Sequence, residues 1–296
     1  MNPWVAGARP RTLGVGIVPV LVGAAAAEAV VAWRLGAALV VAIGLQVGVN
    51  FANDYFDGVR GVDAPGRVGP ARLVATGAAS PRAVLIAGLV SIGAAAVAGS
   101  ALALATEPAP ILFVGALALI AAVAYSGGPR PYAGLGLGEV MVFLFFGLMA
   151  TCGTAFVMAS DVPAAAWWCG TVLGLLAVAV LVANNLRDIA TDEAAGKRTL
   201  AVRLGDARTR ALYRACVIAA FGVIVLGVLA SIADERIGLT QWGLLGLAGW
   251  IPAIRPMEAI GGATGSALVP VLTGTAAVHA VTGSLLALGL LLERWA

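Results

Sequence analysis

Two runs of carboxamides and carboxylates stand at the ends of apolar stretches, 134 residues apart, and both have helical spacing. The first reads Asn50-Phe51-Ala52-Asn53-Asp54-Tyr55-Phe56-Asp57, and the second Asn184-Asn185-Leu186-Arg187-Asp188-Ile189-Ala190-Thr191-Asp192. Asn50, Asp54 and Asp57 fall at i, i+4 and i+7, so a helix would carry them on one face, with Asn53 one turn from Asp57. Asn184, Asp188 and Asp192 repeat the pattern at i, i+4 and i+8. Asp63 follows the first run within the same loop. Five carboxylates (Asp54, Asp57, Asp63, Asp188 and Asp192) gathered at one place would repel unless cations lay between them. Hard divalent ions with oxygen ligands suit that task, Mg²⁺ above all when phosphate oxygens complete the coordination. Fixed cations surround the acids: Arg67 and Arg72 after the first run, Lys197, Arg198 and Arg203 after the second. Acids, Mg²⁺, Arg and Lys together make a clamp for a pyrophosphate group. The plainer reading, solvated loop acids balancing basic neighbours, fits one such run better than two matching ones.

The elements that must hold these residues are membrane helices. Hydrophobic residues make up 61% of the 296 positions and charged ones 11%, against about 25% charged in an ordinary soluble domain. A soluble core could not hide that much apolar surface, so the lipid bilayer has to be part of the solvent. Apolar runs of about 17 to 25 residues cross the hydrocarbon as helices. Nine candidates occur, at 12–33, 35–53, 82–105, 108–125, 135–158, 164–185, 211–232, 238–254 and 266–292, the eighth being short. The prediction is an all-α polytopic bundle of about nine transmembrane helices, a single membrane domain over 1–296. The 39 glycines suit close helix packing. Arg9 and Arg11 before an apolar run resemble a signal peptide, but the run is long and flows into further spans.

Charge placement gives the orientation. With a cytoplasmic N-terminus, loops on that side hold all the Lys and Arg except Arg34, Arg236 and Arg294, fifteen of 18. This positive-inside bias predicts a plasma-membrane protein whose two acidic runs both face the cytoplasm. Nothing reads as a nucleic-acid footprint. Cys152, Cys169 and Cys216 lie far apart in apolar spans and read as packing residues. A third loop on the acidic side runs Tyr125-Ser126-Gly127-Gly128-Pro129-Arg130-Pro131-Tyr132, then to Glu139. Its glycines permit tight turns. His279, inside the ninth span, reads as a satisfied residue of the bundle interior.

These motifs resemble the UbiA-type superfamily of intramembrane prenyltransferases, and within it the 1,4-dihydroxy-2-naphthoate polyprenyltransferases of menaquinone biosynthesis. The resemblance runs from Ala8-Arg9-Pro10-Arg11 to about Gly205; it rests on Ala52-Asn53-Asp54-Tyr55-Phe56-Asp57, Arg67-Val68-Gly69-Pro70-Ala71-Arg72, the Tyr125–Glu139 loop and the stretch from Asn184 to Gly205. It implies a nine-span helical bundle whose two aspartate motifs bind Mg²⁺ and the prenyl diphosphate. Asn53, Asp54 and Asp57 match the first motif, Asp188 and Asp192 the second. The superfamily's usual third acid falls at Gly61, with Asp63 the nearest carboxylate. A Tyr-x-x-x-Lys motif corresponds to Tyr125 and Arg130, one residue longer and with Arg for Lys. The implied substrates are a polyprenyl diphosphate and 1,4-dihydroxy-2-naphthoate. The implied diphosphate contacts are Asn53, Arg67, Arg72, Tyr125, Arg130, Lys197 and Arg203; the implied catalytic and metal-binding acids are Asp54, Asp57, Asp188 and Asp192, with Asp63 a further metal ligand. In that family the attacked ring carbon carries the carboxylate, which leaves as CO₂. Two rivals stand beside this reading: a superfamily member with another aromatic acceptor, and a cation-coupled transporter, which would put charges near mid-membrane.

Overall fold

A computed structural model describes residues 2–61, 72–128, 131–234 and 236–294, and these form helices joined by turns. Asp63, Arg67 and Arg130 lie outside the described residues. In chain order the helices are α1 (Pro3–Ala8), α2 (Pro10–Ala26), α3 (Ala32–Val59), α4 (Pro81–Ala105) and α5 (Pro108–Ala124). Then come α6 (Gly138–Val142) and α7 (Ala150–Ala159), fused through a π-helical stretch Phe143–Met149 into one rod. After them follow α8 (Ala164–Ala194), α9 (Leu200–Ala233), α10 (Trp250–Ala259) and α11 (Leu268–Glu293).

Local chemistry sets several of these starts. Proline occupies the first turn of α2, α4 and α5, where its missing N–H costs nothing. The Ser80 hydroxyl accepts from Ala83 N at 3.3 Å to cap α4, and the Thr199 hydroxyl accepts from Val202 N at 3.4 Å to cap α9. Gly205, at φ 76°, breaks α9 into a short entry turn and a long apolar rod.

Among the described residues, six helical runs are long and apolar enough to cross a membrane: α3, α4, the α6–α7 rod, α8, α9 and α11. The shorter α2 and α5 are apolar as well. The expected nine crossings are reached only if α2, α5 and the Gln241–Ala259 segment are added. That last segment, the weak eighth candidate, is a 3₁₀ stretch over Gln241–Gly249 leading into α10.

The buried centre of the bundle is α8, which packs on α9, α11 and the α6–α7 rod. Its contact with the rod runs through glycines: a Cβ on Gly147 would come within 2.4 Å of the Gly174 Cα. The periphery is apolar instead. Val97 and Leu104 on α4 are more than 70% exposed, an apolar surface of the kind that membrane-spanning helices carry. The chain is a multi-pass membrane protein.

One expectation is corrected here. The candidate spans end at 53 and 185, yet α3 continues to Val59 and α8 to Ala194. The two Asn/Asp runs therefore stand on helical extensions of the apolar spans, as their spacing requires.

Candidate functional site

The C-terminal ends of α3 and α8 flank the mouth of a cavity of about 1070 Å³. Asn53, Arg72, Tyr125, Asp188, Asp192 and Lys197 line it at the polar end, and apolar residues of α2 to α8 line the interior.

The two motifs, distant in sequence, meet at Asp57. Its Oδ2 lies 3.5 Å from Lys197 Nζ and 3.9 Å from Arg72 Nη2. Lys197 is aimed there by the turn that ends α8, in which Lys197 N donates to Asp192 O at 2.8 Å and Gly196 takes φ 71°. Asp57 itself is buried and stands one step behind the cavity wall, with Lys197 and Arg72 between it and the space.

Asp54 points elsewhere. Its two oxygens accept from Leu73 N at 2.8 Å and Val74 N at 3.1 Å, so it anchors the segment that presents Arg72. The face predicted to be shared by Asn50, Asp54 and Asp57 thus divides: Asn50 and Asn53 line the cavity, while Asp54 turns toward the loop. On α8, Asp188 receives both Arg187 Nε at 2.7 Å and Arg187 Nη2 at 2.8 Å, and the same Nη2 reaches Asn184 Oδ1 at 2.9 Å.

The Gly-rich loop is tied down by Arg60, which donates to Ser126 O and Gly128 O and stacks over the Phe56 ring. Tyr125 and Tyr132 meet edge to face, 5.4 Å apart, and both line the cavity. Burial raises the Tyr125 pKa above 10, against the opposing pull of Lys197 and Arg9. Tyr132 is raised by burial too, and then by Tyr125. Both phenols keep their protons at neutral pH and can donate them in hydrogen bonds.

Of the remaining expected residues, Arg203 does not line the cavity; its Nε donates to Arg198 O and its side chain packs beside Gly136. Glu139 is buried and accepts from Asn185 Nδ2 at 3.0 Å. His279 is buried as expected, but neither ring nitrogen has a hydrogen-bond partner among the described residues. The three cysteines are buried thiols.

Three features escaped the sequence reading: the Arg187 fork on Asp188, the Glu139–Asn185 bond, and Gln46, one turn inward from Asn50. Helical spacing could have found Gln46, because Gln46, Asn50, Asn53 and Asp57 continue one stripe.

No three His, Cys, Asp or Glu residues gather closely enough to cage a metal ion among the described residues. Mg²⁺ does not need such a cage, since it is usually held by one or two carboxylates plus phosphate oxygens. Oxygen donors of that kind are present: Asp188 and Asp192 line the cavity, and the buried Oδ1 of Asn53 has no hydrogen-bond partner among the described residues.

Residues 16–259 match the model of the UbiA prenyltransferase family. A 1,4-dihydroxy-2-naphthoate octaprenyltransferase of Mycobacterium tuberculosis is 45% identical over 280 residues, covering 92% of this chain and 91% of the relative. The Escherichia coli protein of the same description is 33% identical over 319 residues, covering 99% and 96%. In fold, the chain is similar to a UbiA homolog from Archaeoglobus fulgidus bound to GPP and Mg²⁺, at TM-score 0.62 and 17% identity, with 96% of this chain and 99% of that one covered. An apo UbiA homolog from Aeropyrum pernix gives TM-score 0.67 at 17% identity, covering 96% and 97%. With the family model matched over most of the chain and relatives at 45% and 33% identity covered almost end to end, the chain belongs to the UbiA prenyltransferase family.

Proposed function

We propose that this protein transfers a polyprenyl group from an allylic polyprenyl diphosphate to 1,4-dihydroxy-2-naphthoate, with loss of CO₂ and diphosphate, to give a demethylmenaquinol, the reduced form of a demethylmenaquinone. The junction of Asp57 with Lys197 and Arg72, at the polar end of an otherwise apolar cavity, carries the reaction class. The two relatives described as naphthoate octaprenyltransferases support the acceptor. The site opens to the cytoplasm at the plasma membrane, a reading supported by the fifteen basic residues on that side.

The reaction breaks the allylic C–O bond, and its electron pair leaves with the diphosphate. Lys197 and Arg72 take up the charge that grows on the leaving oxygens, and the Tyr125 phenol donates a hydrogen bond to them. Asp188, Asp192 and Asn53, with Asp63 on the sequence resemblance, would hold Mg²⁺, which would supply further charge neutralisation. Asp57 fixes Lys197 and Arg72 in position, and Asp54 fixes the segment bearing Arg72. Arg67 and Arg130, outside the described residues, are proposed as further diphosphate contacts on the sequence resemblance alone. The apolar interior keeps water from the allylic cation. The carboxylated ring carbon attacks that cation, a C–C bond forms, and the C–CO₂ bond breaks and returns its pair to the ring. Arg9 and Arg11, which line the cavity, hold the carboxylate until it leaves.

Purified protein incubated with farnesyl diphosphate, Mg²⁺ and a panel of aromatic acids, read by mass spectrometry, tests the proposal. The expected product is a prenylated, decarboxylated naphthalenediol from the naphthoate alone. A product that keeps its carboxylate, or one formed from 4-hydroxybenzoate instead, would overturn the acceptor. No prenylation at all would overturn the reaction class.

A further inference from the structure

Gln46 is a polar residue that the diphosphate chemistry does not use. It continues the α3 stripe inward from Asn53 by seven residues, about 10 Å along the helix. It is 8% exposed and lines the same cavity. Its Nε2 donates to the Thr12 carbonyl at 2.7 Å. That bond fixes which way the amide points, since a carbonyl cannot face a carbonyl. Its Oε1 then has no hydrogen-bond partner among the described residues. The oxygen rests against Gly16, where a Cβ would come within 2.5 Å of it. Gly16 therefore makes the room that the amide occupies.

A buried carbonyl oxygen without a donor is costly, and the cost is relieved by a ligand that brings an O–H. The depth and the chemistry agree on which one. In the proposed reaction the carboxylated carbon of the acceptor must face the allylic carbon beside the diphosphate. The carboxylate then lies toward Arg11, which has no ion pair among the described residues. The ring extends inward, and the hydroxyl farther from the carboxylate becomes the deep end of the molecule.

We infer that Gln46, seated by Gly16 and Thr12, is an acceptor-binding residue whose Oε1 receives the distal hydroxyl of a dihydroxy aromatic acid. This inference rests on the proposed acceptor class and adds the group that selects a diol over a monohydroxy acid.

The test compares 1,4-dihydroxy-2-naphthoate with 1-hydroxy-2-naphthoate, which lacks only the distal hydroxyl. Binding is measured by calorimetric titration in detergent with Mg²⁺ and a thiolo analogue of farnesyl diphosphate, which ionises slowly. The wild-type protein is expected to prefer the diol by about tenfold or more. Gln46→Met keeps the side-chain volume and removes the acceptor; Gly16→Ala keeps the amide and displaces it. Both should bring the preference to within about twofold by weakening the diol alone. A merely structural role in holding α2 would instead weaken both acids equally, and that result overturns the inference. So does a wild-type protein that binds the two acids equally or binds neither. A protein that prefers the diol in this titration but forms no product with farnesyl diphosphate would refute the proposed reaction and leave the Gln46 contact standing.

Discussion

Replacing Asp54 by Asn separates an acid that anchors from one that binds a metal. The two carboxylate oxygens accept from Leu73 N and Val74 N at 2.8 and 3.1 Å in a buried setting. Hydrogen bonds to a charged group contribute about 1.5–3 kcal/mol each. Asn keeps one carbonyl oxygen, which makes a neutral bond worth about 1 kcal/mol, and turns its NH₂ toward the other backbone N–H. The net loss is about 3 kcal/mol, so opening of the segment after residue 72 should become more frequent by on the order of a hundredfold. Hydrogen exchange on peptides covering residues 72–79 reads this directly, as a matching fall in protection at Leu73 and Val74. Because the segment presents Arg72, the KM for prenyl diphosphate should rise as well, and added Mg²⁺ should not restore it. Unchanged protection at the two amides would refute the anchoring role, and rescue by excess Mg²⁺ would return Asp54 to the metal.

Asp192→Asn, which keeps size but removes charge from the cavity wall, should lower turnover by a factor on the order of a hundred, about 3 kcal/mol of transition-state stabilisation, in steady-state kinetics at saturating Mg²⁺. Lys197→Met should also raise the apparent KM for the prenyl diphosphate, since it removes charge that acts on the bound substrate before ionisation. Cysteines introduced at loop positions within 72–80 and 195–199 should react with an impermeant maleimide only from the cytoplasmic side of inverted vesicles; labelling from opposite sides would dismantle the site. Gly147→Ala would force a methyl onto the Gly174 backbone, and a loss of about 1–3 kcal/mol should appear as a lower melting temperature in detergent.

Composition was enough to read the bundle, because no soluble packing disposes of 61% hydrophobic residues. Counting spans was enough to bring the two Asn/Asp runs to one end of the bundle, and helical spacing to give each run a face. Three features were less legible. The candidate spans stop at 53 and 185, where Asp and Asn, which disfavour helix interiors, follow the apolar runs. Tertiary partners override that preference here: Leu73 and Val74 amides satisfy Asp54, and Arg187 satisfies Asp188. Which of two adjacent residues meets the cavity was not legible either, since Asn53 and Asp54 differ by one 100° step and only the position of the 72–79 segment decides between them. The eighth span was weak in sequence because Gly243, Gly246 and Gly249 interrupt it. Those same glycines are buried in a 3₁₀ turn, and Gly246 and Gly249 meet α11 at Leu286 and Thr282.

Distances at the mouth sort the cations by the work each can do. An unstrained charge-assisted N–H···O bond is about 2.7–2.9 Å long. Arg187 holds Asp188 at 2.7 and 2.8 Å with its planar fork, and turning it toward a new anion would leave a buried carboxylate exposed to its own desolvation cost. Lys197 and Arg72 stand at 3.5 and 3.9 Å from Asp57, both at the long end of ion-pair contact. Lys197 can swing toward a diphosphate while giving up only that long contact, and Asp57 keeps both cations near the mouth in the meantime. On the proposed reaction, Asp57 then acts as a counter-ion that stores two phosphate-binding cations in a water-poor site, while the Arg187 fork keeps the Asp188 carboxylate oriented. The same residue types thus serve two purposes, and distance rather than sequence motif tells them apart.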